Sequence, residues 1–469
     1  MGKNLCQFLL SAGLLLQPCL CVGAVARGPL RVLGANPRYF TAGDGSAVVL
    51  MGAHTWDSLQ DYSYSAKQSP PPMAFDAYLS FLARHDLNFF RLWAWESPSN
   101  PGALQSTTEF RPMAYERTGP GKAADGKPKF DLRRFNPEYF QRMRERVGKA
   151  GRRGVYVSIM LFNGFSIEGK GNDGGNPWLA HPMNPANNVN GVDGAGVAAH
   201  TLANPAVTAL QEAYVRKVVA TVNSFDNVLY EIANEDTGSP ANIAWQYHMI
   251  RFVKGLEARM PKQHPVGMTS QWPNGSDAAL LASPADWISP GATLLESDGT
   301  KVVINDTDHS FFWIGLRKAG QAAQVAWAWG TFARGGQCLF MDPYLDPSHD
   351  DGRNAPNGLT PDPYWDPLRD AMGAARACGQ RMDLAAMRPA DASASTGFCL
   401  ANPGKEYLVF EPGSAKSLTI DLADAPGSFS AEWRPAARGT WLAAPKVEGG
   451  AVRTLAAPFP GASVLHLWR

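Results

Sequence analysis

The sequence predicts a (β/α)8 TIM barrel followed by a small all-β sandwich. Three observations point there. From about residue 30 to 380, short β-rich runs alternate with amphipathic helical stretches, the mark of parallel strands joined by helical crossovers. Eight such runs can be counted, which suits a barrel with insertions better than an open doubly wound sheet. Beyond Met387 the pattern changes to short strands at close spacing, separated by turns rich in Gly, Pro, Asn and Asp. A chain of 469 residues also exceeds one ordinary core, so more than one structural unit is expected.

The eight barrel strands are placed at 47–54, 89–95, 154–162, 228–235, 266–272, 285–289, 301–309 and 336–342. Helical spacing of apolar residues fills 137–150, 205–223 and 241–260 between them. The first of these opens with Pro137 and has Gly151 just beyond its end, the usual polarity of helix signals. No glycine-rich dinucleotide loop follows the first strand, which removes the main attraction of an open sheet. Long Gly/Asn/Pro-rich connections at 97–128, 169–199 and 343–363 each follow a strand. In a barrel such loops rise from the catalytic face, so they are expected to wall a cleft. The barrel is bounded at 27–385, a small-residue linker at 386–397, and the sandwich at 398–469. Sandwich strands are read at 398–401, 406–411, 417–422, 429–434 and 463–468.

Residues 1–26 read as a signal peptide. Lys3 precedes an apolar stretch over 8–16, and Ala24-Val25-Ala26 is an A-x-A cleavage pattern. That stretch is short of the roughly 20 residues a membrane span needs. A secreted or periplasmic protein with no membrane span in the mature chain is therefore expected. Cys6, Cys19 and Cys21 would leave with the leader, and Cys338, Cys378 and Cys399 remain. An odd number excludes complete internal pairing; a Cys378–Cys399 bridge and buried free thiols both stay open.

The formal charge is +1, with 43 Lys and Arg against 42 Asp and Glu. No Lys/Arg run supplies the footprint that phosphate neutralisation requires, so nucleic acid is not an expected partner. A polar surface rich in Asn, Gln, Asp and Trp suits neutral, hydroxylated ligands. A monomer without a cofactor is expected.

The strongest chemical signal is Tyr230-Glu231-Ile232-Ala233-Asn234-Glu235, an apolar strand ending abruptly in acid and amide. Catalytic side chains sit at the carboxyl ends of barrel strands. Glu235 there, walled by aromatics, would have its protonated form favoured by desolvation, as a general acid needs. Asn234 could hold a sugar hydroxyl. The second signal is the end of strand seven, where period-two alternation places Val302, Ile304, Asp306 and Asp308 on one face. Carboxylates at the end of an apolar strand are costly without work or partners. Glycosidic cleavage needs two carboxyl groups flanking the scissile bond, so Glu235 and one of these aspartates form the natural pair. Asp306 directly follows the apolar run and takes precedence over Asp308.

Candidate binding groups surround them. Arg91 sits among aromatics that include Trp93 and Trp95, and could orient the anionic partner. His54 and Trp56 follow strand one, Asn163 strand three and Trp272 strand five. His309 and Asp342 complete the set at strands seven and eight. Sugars present apolar C–H faces and polar edges, which indoles, amides and imidazoles match. An oligo- or polysaccharide is the expected partner.

Arg91 on strand two, Asn234-Glu235 after strand four and a carboxylate ending strand seven resemble glycoside hydrolase clan A barrels. The stretch from Arg38-Tyr39-Phe40 to Gly52-Ala53-His54-Thr55-Trp56 resembles the cellulase-like, apiosidase-like branch. Ser430-Ala431-Glu432-Trp433 and Leu465-His466-Leu467 resemble the collagen-binding-type β-sandwich often joined to that branch. The resemblance implies a retaining glycosidase with Glu235 as acid/base. One departure stands out: the clan's strand-seven nucleophile is Glu, whereas this chain offers Asp, shorter by one C–C bond of about 1.5 Å. Retaining enzymes hold their carboxyls roughly 5–5.5 Å apart and inverting ones roughly 6.5–9.5 Å, so a shorter side chain could admit water. Two other readings remain open. Asp306, Asp308 and His309 with His54 could form a metal-dependent hydrolase site, or the barrel could bind glycan without catalysis.

Overall fold

The computed structural model describes residues 25–63, 72–101, 109–170, 175–291, 298–310, 313–342, 362–413, 415 and 417–469. Most of the expected leader and of the 343–363 connection lie outside these residues. Eight parallel strands close into a barrel: β1 (Met51–His54), β2 (Phe89–Leu92), β3 (Tyr156–Asn163), β4 (Val228–Asn234), β5 (Val266–Thr269), β6 (Trp287–Ser289), β7 (Val302–Asp306) and β8 (Gln337–Met341). They lie in sequence order around the barrel, with β8 pairing back to β1. Each falls at one of the eight runs read from the sequence.

The helices begin where local chemistry satisfies free backbone N–H groups. Asn136, Asn204 and Ser239 each accept a hydrogen bond from a first-turn amide. Proline follows each cap, opening α1 (Pro137–Arg152), α2 (Pro205–Val222) and α3 (Pro240–Glu257). Proline at that position has no N–H to leave unpaired, and its φ is already helical.

Inward-facing Phe89, Leu229, Trp287, Val302, Ile304 and Leu339 pack with Leu30 and Phe40. The two latter residues belong to the N-terminal segment, whose Arg31–Val32 and Phe40–Thr41 strands pair antiparallel and close the barrel floor. Gly267 leaves room for the Trp287 indole, because a Cβ there would lie 1.9 Å from that ring. Apolar filling of the lower barrel leaves the polar groups to the upper end.

Above the strands, the second connection contains a long hairpin that the sequence did not reveal, Tyr115–Lys122 with Pro128–Phe135. Its residues Tyr115, Phe130 and Leu132 join Phe110, Met183 and Val207 in one cluster, and Trp56 and Trp95 pack against it. The second and third strand exits are thus walled together, as their loop lengths suggested.

Strand seven departs from expectation. It ends at Asp306, and Thr307–Ser310 is a helical turn. The Asp306 carboxylate accepts the Asp308 backbone N–H at 2.9 Å and so starts that turn. Strand alternation therefore does not reach Asp308, and the two aspartates do not share a strand face.

The C-terminal sheet runs in the order β9 (Arg388–Pro389), β10 (Cys399–Asn402), β11 (Glu406–Glu411), β16 (Ser463–Trp468), β13 (Ser428–Pro435), β14 (Leu442–Glu448). A second pair, β12 (Ser417–Asp421) with β15 (Val452–Ala456), faces it. The sequence missed β14 and β15, where Leu442 and Val452 are exposed and Pro445 interrupts the first strand, so no buried apolar face marks either one. The segment read as a linker is docked: Arg388–Pro389 is the sheet's edge strand, and Asn36 donates to the carbonyls of Leu384 and Met387. Cys338, Cys378 and Cys399 are buried free thiols, so the bridge left open by sequence does not form. Among the described residues no helix is long and apolar enough to cross a membrane.

Candidate active site

Arg91 organises the upper barrel. It projects from β2, its side chain 1% exposed. Its Nε donates to Glu231 Oε2 at 2.9 Å, and Nη1 donates to Asn234 Oδ1 and Asp308 Oδ2, each at 3.2 Å. Nη2 lies 3.0 Å from Asp306 Oδ2 and 3.3 Å from His309 Nε2. Five side chains from the ends of β4 and β7 thus converge on one guanidinium.

Asp306 is fully buried. Its Oδ1 meets His54 Nε2 at 3.2 Å and accepts the Asp308 amide. Burial alone would raise its pKa, but His54 and Arg91 beside it hold the carboxyl well below the usual range. Asp308 is different. Burial and the negative charge of Asp306 outweigh Arg91 and His54, and push it up to about 6. Glu231 is likewise pushed to about 7, by burial against the pull of Arg91. His309 is pushed down to about 3 by burial and Arg91, so its imidazole is neutral at physiological pH. It sits between Ser289 Oγ at 2.9 Å and Asn234 Oδ1 at 3.1 Å.

Glu235 follows β4 with φ of 40°, a left-handed conformation uncommon for a residue with a side chain. Burial, then the charge of Asp308, raise its carboxyl well above the usual range, with Lys170 and Arg91 pulling the other way. The acids of strands four and seven therefore sense each other at one mouth of the barrel.

Aromatic groups flank both. His54 stacks on Trp93, with ring centroids 5.4 Å apart, and Trp93 leads on to Trp56 and Trp95. Trp95 Nε1 donates to the Trp56 carbonyl at 3.0 Å, and its ring stacks on Phe110. Beyond Glu235, Trp272 is 40% exposed and lies parallel to Phe165.

Two expected binding residues are otherwise engaged. Asn163 is fully buried, donates to the Ala94 carbonyl and accepts from the Phe165 amide and the Asn234 side chain. Its place is under Asn234, as a support. Asp342 lies at the end of β8, but both its oxygens are taken by Arg369 at 2.6 and 2.8 Å, in a fully buried pair. That carboxylate braces the barrel rather than facing a sugar.

Sequence reasoning assigned no role to Glu231, although a carboxylate inside the apolar run of β4 was a readable signal. It also passed over a second charged group. His200 lies 2.8 Å from Asp236 and 3.4 Å from Glu96, and stacks on Trp245. Burial opposes its charge, but the two carboxylates raise its pKa to about 10. Glu96 in turn falls to about 2 despite burial, because His200 and His181 face it. These histidines come from a loop too irregular for periodicity to place. The Asp306, Asp308, His309 and His54 set considered for metal binding is arranged around the Arg91 cation, which takes the central position.

Residues 106–280 match a domain of unknown function, DUF6298, a span that holds β3, β4, Glu235 and most of the wall. The sequence matches no curated protein. Among solved structures, a glycoside hydrolase is similar at a TM-score of 0.59 and 12% identity, over 94% of this chain and 97% of the other. A glycoside hydrolase family 5 structure from Bacteroides vulgatus ATCC 8482 is similar at 0.60 and 12% identity, over 94% and 93% of the two chains. At that identity, what the chain shares with these structures is the fold, an eight-stranded barrel joined to a C-terminal β domain.

Proposed function

We propose that the protein is a glycoside hydrolase that cleaves O-glycosidic bonds in an oligo- or polysaccharide. The observation that carries this reading is that Glu235 directly follows β4 and Asp308 stands just beyond β7, so two acids lie at the carboxyl ends of barrel strands. One carboxyl is kept protonated by burial and by the other's charge, and the other is held by Arg91. Glu235 serves as the acid and protonates the leaving oxygen.

Asp308 is the better second carboxylate, reversing the order that strand register suggested. Asp306 has His54 and the Asp308 amide on one oxygen and Arg91 beside the other, and is wholly buried. Its work is to orient Arg91 and His54. In the retaining reaction we favour, Asp308 attacks the anomeric carbon as the C–O bond to the leaving group breaks and Glu235 gives up its proton. Glu235 then takes a proton from water, which displaces Asp308 from the sugar. The partly exposed Trp56 and Trp95 offer apolar faces on one flank, backed by the buried Trp93, and Trp272 offers one on the other.

The leader pattern supports export to the periplasm or medium. Screening the mature protein against plant and bacterial polysaccharides should give a hit on which Glu235→Gln loses several orders of magnitude in kcat while glycan binding persists. An unchanged rate would remove the proposal in favour of a non-catalytic binder. Proton NMR of the first anomer released should show retention.

A further inference from the structure

We propose that Lys170 is a positioning residue for Glu235, clamping the backbone of the acid and supplying the positive charge nearest to it outside the Arg91 cluster. This rests on the reading of Glu235 as the acid. Lys170 is 6% exposed and belongs to the loop after β3. Its ammonium donates to the Glu235 carbonyl, and to the Trp272 carbonyl at 2.8 Å. It therefore ties together the exits of β3, β4 and β5.

The need for such a clamp follows from the backbone. Glu235 holds an unfavourable positive φ, so its peptide orientation must be fixed by what surrounds it. Gly164 lets the β3 loop lie directly on that peptide; a Cβ there would come within 2.3 Å of the Glu235 carbonyl oxygen. Asp236 continues the knot by accepting the Trp272 amide on its carbonyl at 2.9 Å. Lys170 closes it from the open side and rests against Phe165, with Nζ 5.8 Å from the ring centroid. The exposed Trp272 and the acid are thus joined through one ammonium group.

Charge follows from the same placement. The groups facing Lys170 are Asp236, Glu168 and Glu235, and burial opposes its charge. The groups facing Glu235 are Asp308 and Asp306, which favour its protonated form, and Lys170 and Arg91, which favour the carboxylate. Lys170 thereby limits how far burial raises the acid, so that Glu235 can also ionise and act as the base of the second step.

Carboxyl NMR tests this without a substrate. Protein labelled with 13C at the glutamate carboxyl carbon gives a resonance assignable to Glu235 by its loss in Glu235→Gln. In Lys170→Met that resonance should titrate at higher pH than in the native protein, and in Lys170→Arg it should titrate as in the native protein. On the polysaccharide hit, Lys170→Met should lower kcat about tenfold with KM little changed, as expected when a reacting group is misplaced. Lys170→Arg should recover most of that loss. If Lys170→Met does not fold, Lys170→Gln keeps a donor without the charge and should still shift the titration upward. An unshifted Glu235 resonance in the folded neutral variant overturns the role of Lys170. A Glu235 resonance titrating in the ordinary carboxylate range in the native protein overturns the acid reading instead.

Discussion

Arg91 Nε and Glu231 Oε2 lie 2.9 Å apart inside the barrel, each side chain only 1% exposed. The pair fixes one end of the guanidinium, so that its other two nitrogens reach Asp306 and Asp308. Removing the arginine leaves buried carboxylates without their cation. Arg91→Gln is expected to cost about 3–5 kcal/mol of stability, the usual penalty for breaking a buried pair from one side. Urea unfolding measures it. Arg91→Lys should fold better yet lose roughly hundredfold in kcat, because a point charge cannot serve three directions at once. Native turnover in Arg91→Lys would count against the guanidinium as organiser of the site.

The pH profile of the proposed reaction follows from the two acids assigned to it. Asp308 must be ionised to attack, and burial with Asp306 places it at about 6. Activity should therefore rise as pH increases through about 6. Glu235 must be protonated to serve as the acid, and its carboxyl lies well above the usual range. Activity should fall at higher pH as it ionises, giving a bell whose limbs belong to the pair. Measured kcat/KM against pH tests this; a plateau extending down to pH 4 would contradict a raised Asp308.

How far the sequence reached is clearest on these strands. Short β-rich runs located all eight barrel strands, and Arg91, Asn234, Asp306 and His309 meet side chain to side chain, with Glu235 the residue after Asn234. That the two aspartates leave a common strand face was not legible, because Asp306 caps a helical turn and so ends the alternation that placed them together. Asp342 illustrates the other limit. Its strand-end position suggested a sugar ligand, yet Arg369, 27 residues later, claims both oxygens. Such long-range pairing has no local signature, and neither do the loop histidines around Glu96.

Azide separates the two aspartates. A small anion can replace a missing nucleophile if the cavity left behind opens toward the sugar. Azide should restore turnover to Asp308→Gly and yield a glycosyl azide of inverted configuration. It should not restore Asp306→Gly, whose loss strips His54 and Arg91 of a partner and disturbs the whole cluster. Rescue of Asp306→Gly alone would return the nucleophile to the position that strand register favours.

Stability should also carry a pH signature. Glu231 is raised from 4.5 to about 7 on folding, so its contribution is fully present below pH 4.5 and is lost as pH rises through 7. His200, raised from 6.5 to about 10, contributes fully below pH 6.5 and loses that contribution as pH rises through 10. Glu96 acts oppositely: lowered from 4.5 to about 2, it contributes above pH 4.5, and the contribution fades as pH falls through 2. The melting temperature should thus be highest in the mildly acidic range, near pH 5, and decline toward pH 8. Glu231→Gln should flatten the decline between about pH 5 and 7. An unaltered slope in that variant would show that Glu231 ionises no differently in the folded and unfolded chain.

The last expectation concerns the C-terminal domain, which shares a core with the barrel. Leu400, Leu408, Phe410 and Val464 belong to the same apolar cluster as Trp329, Phe332, Leu384 and Met387. Trp329, on helix α4 (Gln321–Ala333), stacks on Phe410 and donates its indole N–H to the Ala436 carbonyl at 2.6 Å. Phe398 covers Gly330 one residue along, and ion pairs Arg334–Asp391 and Arg381–Glu432 close the rim. Full burial of one large apolar side chain is worth roughly 1.5–3 kcal/mol, so several such contacts exceed a large part of an ordinary domain's stability. Deleting residues from about 390 onward should therefore yield insoluble protein, and Trp329→Ala should cost about 3–5 kcal/mol in urea unfolding of the full chain. A truncated barrel that stayed soluble and melted at the native temperature would mean that the sandwich is an independent appendage, and the shared cluster would then carry no stability.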